Sequence, residues 1–181
     1  MKPQSKSSII DELSVRFFSD NDSIDELTQL LNVAYRKYLS IGLEFMAANQ
    51  DSTKTLDRLK GAKCLIATHH NRIVATIAYY SPANTNGNPW YDKEGVASYG
   101  QFAVDSAYQN LGIGDLLISK MEEFARADKA AVITIDTAKD ASDLVNYYTR
   151  RGYRDVGTWK WDVTNFISVM LQKNLINDEI N

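Results

Sequence analysis

The chain has 181 residues, 44% hydrophobic and 24% charged, which is the composition of one globular domain with a core of its own. A formal charge of -3 without any long Lys/Arg run argues against nucleic acid or an anionic membrane as partner and tilts toward a cationic or neutral small substrate. A single cysteine, Cys64, rules out an internal disulfide, and no apolar run is long enough to span a bilayer or to serve as a signal peptide, so a cytoplasmic protein is expected.

Residues 1–12 read as a flexible polar tail, 13–173 as a single domain and 174–181 as a C-terminal tail. Leu13 to Phe18 is a short strand. Ser23-Ile24-Asp25-Glu26 is a capping box, opening a helix with Leu27, Leu30, Leu31, Ala34 and Tyr38 on one face and Tyr35 beside it. The stretch from Ile41 to Asp51 is apolar but not periodic, with Glu44 set among Leu43, Phe45 and Met46. A carboxylate there either finds a partner, touches a substrate or stands as a rim charge. A second helix follows over Ser52 to Leu59.

Lys63 to His69 and Ile73 to Tyr80 form a hairpin through His70-Asn71-Arg72. His69 and His70, adjacent in a strand, would face opposite ways, making a poor metal pair and reading as surface residues beside the turn. Cys64 reads as a small core residue. Ser81 to Val96 is a long loop rich in Asn, Gly and Pro, whose Trp90 and Tyr91 either line a pocket or pin the loop down.

Tyr99 to Val104 is a strand ending in Asp105-Ser106. From Ile113 a helix sets Leu116, Leu117, Met121, Phe124 and Ala125 on one face, with Asp115, Ser119, Glu122, Glu123 and Arg126 opposite. Between them lies Gln109-Asn110-Leu111-Gly112-Ile113-Gly114. Glycines at a helix start expose N–H groups at the positive end of the dipole, a place suited to a phosphate or pyrophosphate. The motif is neither a P-loop nor the three-glycine dinucleotide fingerprint. The alternative is that both glycines only let the helix pack closely on a strand. Ala131 to Asp136 is an apolar run suited to a central strand. Ser142 to Arg151 is a short helix capped by Gly152, and Tyr153 to Asp162 with Phe166 to Lys173 makes a last hairpin. The order of elements suggests one mixed sheet with helices on both faces.

AVDSAYQNLGIG followed, after another strand, by YTRRGY from Tyr148 to Tyr153 resembles the GCN5-related N-acetyltransferase (GNAT) superfamily. The resemblance implies an α/β (α+β) fold: a mixed, twisted, mostly antiparallel sheet of about seven strands with about four helices and a central parallel pair that splays apart. It implies acetyl-CoA as co-substrate, no metal, and an amine of a small molecule, peptide or protein as acceptor. The pyrophosphate would lie on the main chain from Gln109 through Asn110, Leu111, Gly112 and Ile113 to Gly114. The pantetheine arm would run along Phe102, Ala103 and Val104, with an N–H near Ala103 or Val104 meeting the oxyanion. The family often has Asn early in the next helix; here Ser142 or Asn146 would have to substitute. Tyr148, four residues before Gly152, would protonate the leaving thiolate while Tyr147 packs. Glu44 would border the acceptor, and the base stays open among Glu44, Glu94, Tyr99, Gln101 and Asp136. Two other readings are a CoA-binding sensor without turnover and a transferase for a longer acyl-CoA. Family members commonly dimerise, and the C-terminal hairpin offers an edge for a homodimer.

Overall fold

The structure is a computed structural model in which residues 6–82 and 88–176 are described. Strands β1 (Ser14–Phe17), β2 (Lys63–His69), β3 (Arg72–Tyr80), β4 (Val96–Val104), β5 (Val132–Ala138), β6 (Arg154–Trp159) and β7 (Ser168–Asn174) form one sheet in the order β1-β2-β3-β4-β5-β7-β6. Every neighbouring pair is antiparallel except β4 and β5, which run parallel. The helices are α1 (Lys6–Asp11), α2 (Ile24–Arg36), α3 (Ser52–Leu59), α4 (Ile113–Ala127) and α5 (Ser142–Thr149). Among the described residues no helix is long and apolar enough to cross a membrane.

Both faces of the central strands are apolar because both are covered. Cys64 and Ile66 of β2 pack with Leu27, Leu30 and Leu31 of α2, whereas Leu65 and Ala67 join Ile113, Leu117 and Met121 of α4 on the other face. This is the period of two on the strands meeting the 3.6-residue period on the helices. Burial pushes the Cys64 thiol up to about 11, in keeping with a core residue.

Local chemistry departs from the sequence reading at four places. Lys6–Asp11 is helical where a loose tail is expected, and residues 1–5 and 177–181 lie outside the described residues. The strand β7 runs into the expected C-terminal tail through Asn174, and Leu175 donates its N–H to Ala131. The Ser23 hydroxyl caps α2 through the Glu26 N–H (3.1 Å), but the Glu26 carboxylate accepts from the Ile73 N–H (2.9 Å) and ties α2 to β3. His69 is buried rather than exposed, with Tyr108, His70 and Glu12 against its ring; its Nδ1 lies 2.9 Å from the Tyr108 hydroxyl.

One constraint shapes the rest. The strands β4 and β5 pair only over Val96–Ser98 against Val132–Thr134. Beyond that point β4 stays with β3 and β5 with β7, so the two middle strands separate. An extra residue in β4 opposite β3, at Gln101 (φ +48°), adds a bulge that bends the strand further.

On the α4 face, the carboxylate of Glu122 is 8% exposed and receives two hydrogen bonds from Lys173 of β7 (2.7 and 2.9 Å). Removing that cation leaves the buried charge only longer contacts, with Tyr153 Oη (3.4 Å) and Arg126 (3.8 Å). We expect Lys173→Met to cost about 1.5–3 kcal/mol in urea denaturation. Pairing it with Glu122→Met should restore most of the loss, and additive losses would show that the pair does not act as a unit.

Candidate active site

The gap between β4 and β5 opens into two cavities, of about 580 Å³ and about 500 Å³, that share Tyr35, Phe102 and Leu144 in their walls. They are two ends of one cleft crossing the sheet. The Tyr35 hydroxyl donates to the Phe102 carbonyl (3.1 Å) where they meet, and burial pushes its phenol up to about 12.

The smaller cavity ends at the glycine turn. Gln109, Asn110, Gly112, Ile113 and Gly114 all line it. Asn110 (φ +61°) and Gly112 (φ +85°) are left-handed, which curls the main chain into a concavity of N–H groups. Helix α4 begins at Gly112 with no side-chain cap, whereas α2 and α3 are capped by Ser23 and Asp51. The first N–H groups of α4 are therefore open to the cavity. At Gly114 a Cβ would stand 2.6 Å from the Tyr147 hydroxyl and 3.2 Å from Cζ of Phe102. The Gln109 amide donates to the Val104 carbonyl (3.1 Å) and braces the turn from behind. Cations gather at this end: Lys37 pairs with Asp143, Arg151 with Asp115, and the Arg151 guanidinium lies 3.3 Å over the Tyr147 ring. Arg150 lines the same cavity. The open donors fit a pyrophosphate-bearing ligand, while the bare Cα of Gly114 makes room for Tyr147 and Phe102.

The larger cavity is walled by aromatic rings. Phe45 packs against Phe166, Tyr38 and Tyr35 at centroid distances of 4.7, 4.9 and 5.2 Å. Two carboxylates line it, Asp57 on α3, in company with Lys54, Arg58 and Lys60, and Asp136, on β5 just past the point of separation. Asp136 accepts hydrogen bonds from Tyr91 Oη (2.6 Å), Trp161 Nε1 (2.9 Å) and Ser168 Oγ (2.8 Å). All three donors are neutral, so its negative charge is oriented without a paired cation. Behind Gln101 a second network joins Gln50, Thr55 and the Arg58 guanidinium. Trp90 and Tyr91 divide the two roles open to them. Tyr91 lines the cavity, whereas Trp90 lies against Gly157 of β6.

Tyr148 is 5% exposed and lines the larger cavity, while Tyr147 lines the smaller one and donates to Asp115 (3.1 Å). Burial raises the Tyr148 phenol well above its ordinary value, and the neighbouring Tyr35 and Tyr147 add to the effect. Its hydroxyl makes no hydrogen bond within the described residues.

Several expected residues stand elsewhere. Glu44 is exposed and lines neither cavity. Its N–H donates to Asn165 Oδ1 (2.9 Å), while the Asn165 amide donates to the Gly42 carbonyl (2.8 Å). This clamp turns Phe45 inward and Glu44 out. Glu94 is likewise exposed and outside both cavities. Ser142 and Asn146 are exposed on α5 and line neither cavity, whereas Asp143, Tyr147 and Arg150 of the same segment line the smaller one. Those three recur at helical spacing, a signal present in the sequence. The Leu111 side chain turns into the core and not the cavity. Phe102, Ala103 and Val104 line the smaller cavity together.

A splayed parallel pair beside an uncapped glycine turn is the architecture of an acetyltransferase of the GNAT type. The sequence profile of the Acetyltransferase (GNAT) family matches residues 24–153, and the chain belongs to that family. Three solved structures share the fold. A GNAT family acetyltransferase from Elizabethkingia anophelis with acetyl-CoA bound is 16% identical, with 91% of this chain and 99% of that chain covered and a TM-score of 0.63. A ribosomal-protein-alanine N-acetyltransferase from Brucella melitensis is 18% identical, covering 89% and 99%, TM-score 0.67. The Salmonella typhimurium YncA, a putative acetyltransferase with its cofactor acetyl-CoA, is 14% identical, covering 93% and 97%, TM-score 0.67. No match to a curated protein sequence was found.

The seat of Trp90 can be tested directly. Gly157 has φ +143°, and a Cβ there would lie 2.7 Å from Cζ2 of Trp90. We expect Gly157→Ala to dislodge the indole, cost about 1–3 kcal/mol and shift tryptophan emission to the red. An unshifted spectrum would show that Trp90 does not depend on that contact.

Proposed function

We propose that the chain transfers the acetyl group of acetyl-CoA to an amine by direct attack. The observation that carries this reading is the single cleft with an anion-binding turn at one end, an aromatic pocket with an oriented carboxylate at the other, and a bare strand edge between. The open N–H groups from Gly112 into the first turn of α4 would hold the pyrophosphate, with Arg150 beside them. The β4 edge at Phe102–Val104 would pair with the pantetheine arm. The Asp105 N–H donates to Val74 of β3 (2.8 Å). Alternation along the strand therefore turns the Val104 N–H into the gap, where it can meet the oxyanion.

The acceptor must attack as a neutral amine, although an alkylamine has a pKa of about 10.4. Asp136 takes the place expected of Glu44: it attracts the ammonium form into the cavity, and directly or through water accepts the proton that frees the lone pair. The amine nitrogen then bonds to the thioester carbonyl carbon, the C–S bond breaks, and the sulfur leaves as thiolate. The Tyr148 hydroxyl, without a hydrogen-bond partner among the described residues, donates to that sulfur as charge develops. Burial holds the phenol in its protonated, donating form. The acceptor's side chain would stack among Phe45, Tyr91, Trp161 and Phe166.

The glycine turn is tested by binding alone. We expect Gly114→Ala to weaken CoA binding at least tenfold by calorimetry, because its Cβ displaces the Tyr147 hydroxyl into the cavity. Gly112→Ala meets no atom within 4 Å, so its cost of about 1–2 kcal/mol should appear in stability. Equal CoA affinity in wild type and a folded Gly114→Ala variant would remove the pyrophosphate from this turn.

Turnover is tested by following free thiol released from acetyl-CoA across a panel of primary amines. We expect Tyr148→Phe to lower kcat by ~10²-fold or more, with CoA affinity and melting temperature nearly unchanged. Tyr147→Phe should mostly spare kcat. A larger loss at Tyr147 would reverse the two assignments, and wild-type turnover in Tyr148→Phe would leave thiolate protonation to water.

A further inference from the structure

Away from the cleft, three metal-ligating side chains meet where the segment before β1 crosses the β2–β3 turn. Glu12, His69 and His70 each bring one ligand atom within 4.8 Å of the others. His69 Nε2 lies 3.4 Å and His70 Nε2 3.5 Å from Glu12 Oε2. Ligand atoms about 2.0–2.1 Å from a tetrahedral ion stand about 3.3–3.4 Å apart, so both nitrogens already sit one tetrahedral edge from the carboxylate oxygen. None of the three residues lines either cavity.

The turn geometry brings the two imidazoles together. His70 (φ +49°) and Asn71 (φ +60°) are both left-handed, the conformation of a tight two-residue hairpin turn. The alternation of side chains stops at His69, and the two rings come to lie 3.9 Å apart instead of on opposite faces.

A second observation points to a ligand. His69 is 4% exposed, and its Nε2 is buried with no hydrogen-bond partner. Leaving such an atom unsatisfied costs about 1–3 kcal/mol. The other nitrogen of the ring is occupied, Nδ1 lying 2.9 Å from Tyr108 Oη. In the tautomer that donates from Nδ1 to Tyr108, Nε2 carries a lone pair aimed at Glu12. A metal-bound histidine has that same arrangement, one nitrogen on the ion and the other held by an oriented partner.

We propose that Glu12, His69 and His70 form a binding site for a divalent transition-metal ion of the zinc class, separate from the acetyl-transfer cleft. Two imidazoles and a carboxylate suit Zn²⁺ far better than Mg²⁺ or Ca²⁺, which take oxygen ligands. With His70 67% and Glu12 43% exposed at the side chain, the fourth position faces solvent and is filled by water. The ion replaces the missing partner of His69 and clips the segment ahead of β1 to the hairpin. It takes no part in acetyl transfer. Tyr108 is a positioning residue for His69, and it also lines the smaller cavity.

The test uses the full chain stripped of metal, titrated with ZnCl₂ at pH 7.5 by calorimetry and with CoCl₂ by visible absorption. Wild type is expected to bind one equivalent of Zn²⁺ and to give the d–d bands of four-coordinate Co²⁺. His70→Asn keeps a residue suited to positive φ, and Glu12→Gln keeps the shape of the side chain. Each should weaken Zn²⁺ binding at least tenfold and abolish the Co²⁺ bands, with CoA affinity and the metal-free melting temperature unchanged. Tyr108→Phe should weaken Zn²⁺ by 10–100-fold through the lost support of His69. Absence of a Zn²⁺ equivalent in wild type, or equal binding by wild type, His70→Asn and Glu12→Gln, would overturn the site and leave the cluster an ordinary histidine–carboxylate contact.

Discussion

The rest of the molecule depends on the brevity of one strand pairing. After Ser98 and Thr134 the parallel strands β4 and β5 part, and a run of backbone donors and acceptors along β4 loses its sheet partner. Buried backbone groups left unpaired are expensive, about 1–3 kcal/mol each. A fold with such an edge at its centre must keep it wet, cover it with side chains or reserve it for a ligand. Here Tyr35 covers one group, the Phe102 carbonyl, and the remaining edge opens on the cleft. The bulge at Gln101 bends β4 away from β5 at the same place, and the Gln50–Thr55–Arg58 network satisfies the strained residue from behind. The opening is therefore built into the sheet, with polar support on one side and the aromatic wall on the other.

Around that opening the two ends differ in which groups are left without a charged partner. At the glycine turn, uncapped N–H groups and cations converge, and the carboxylates present are already paired with Lys37 and Arg151. At the far end Asp136 is held by neutral donors, while Lys54, Asp57, Arg58 and Lys60 line the same cavity. Open main-chain donors suit an anion at one end, and the Asp136 carboxylate offers a local partner for an ammonium group at the other. The middle is where Tyr35, Phe102 and Leu144 are common to both cavities, with Tyr148 alongside. These local arrangements do not need a large net charge on the protein.

What was legible in the sequence is what local chemistry dictates. The glycine turn could be read from six consecutive residues because positive φ and a bare helix start leave a mark within one turn of chain. The strand order and the parallel pair followed from apolar periodicity and a family resemblance. The carboxylate held in the larger cavity could not be singled out. Glu44 looked apt for being charged in an apolar stretch, but its exposure is set by Asn165, more than a hundred residues away. Asp136 looked like the polar end of a buried strand, and its three donors come from three separate segments. On α5, Ser142 and Asn146 are chemically suitable, but the side chains that line the smaller cavity are those of Asp143, Leu144 and Tyr147. At His69 and His70 the alternation of a strand stops at a boundary that the left-handed φ of His70 and Asn71 marks.

The chemistry open to Tyr148 follows from its burial. A phenol ionises above a thiol even in water, so complete transfer of its proton to a thiolate is uphill, and burial holds the hydroxyl in its protonated form. That would be a poor design for a stoichiometric acid. It suits a donor that remains protonated throughout and gives its hydrogen bond only when charge appears on sulfur. The ground-state thioester sulfur is a weak acceptor and gains little from the contact, whereas the departing thiolate gains a charge-assisted bond in a low-dielectric site. The interaction is then selective for the transition state, which is the condition for raising kcat rather than tightening substrate binding. The proton that finally neutralises CoA can arrive from solvent after the C–S bond has broken, when its timing no longer affects the barrier.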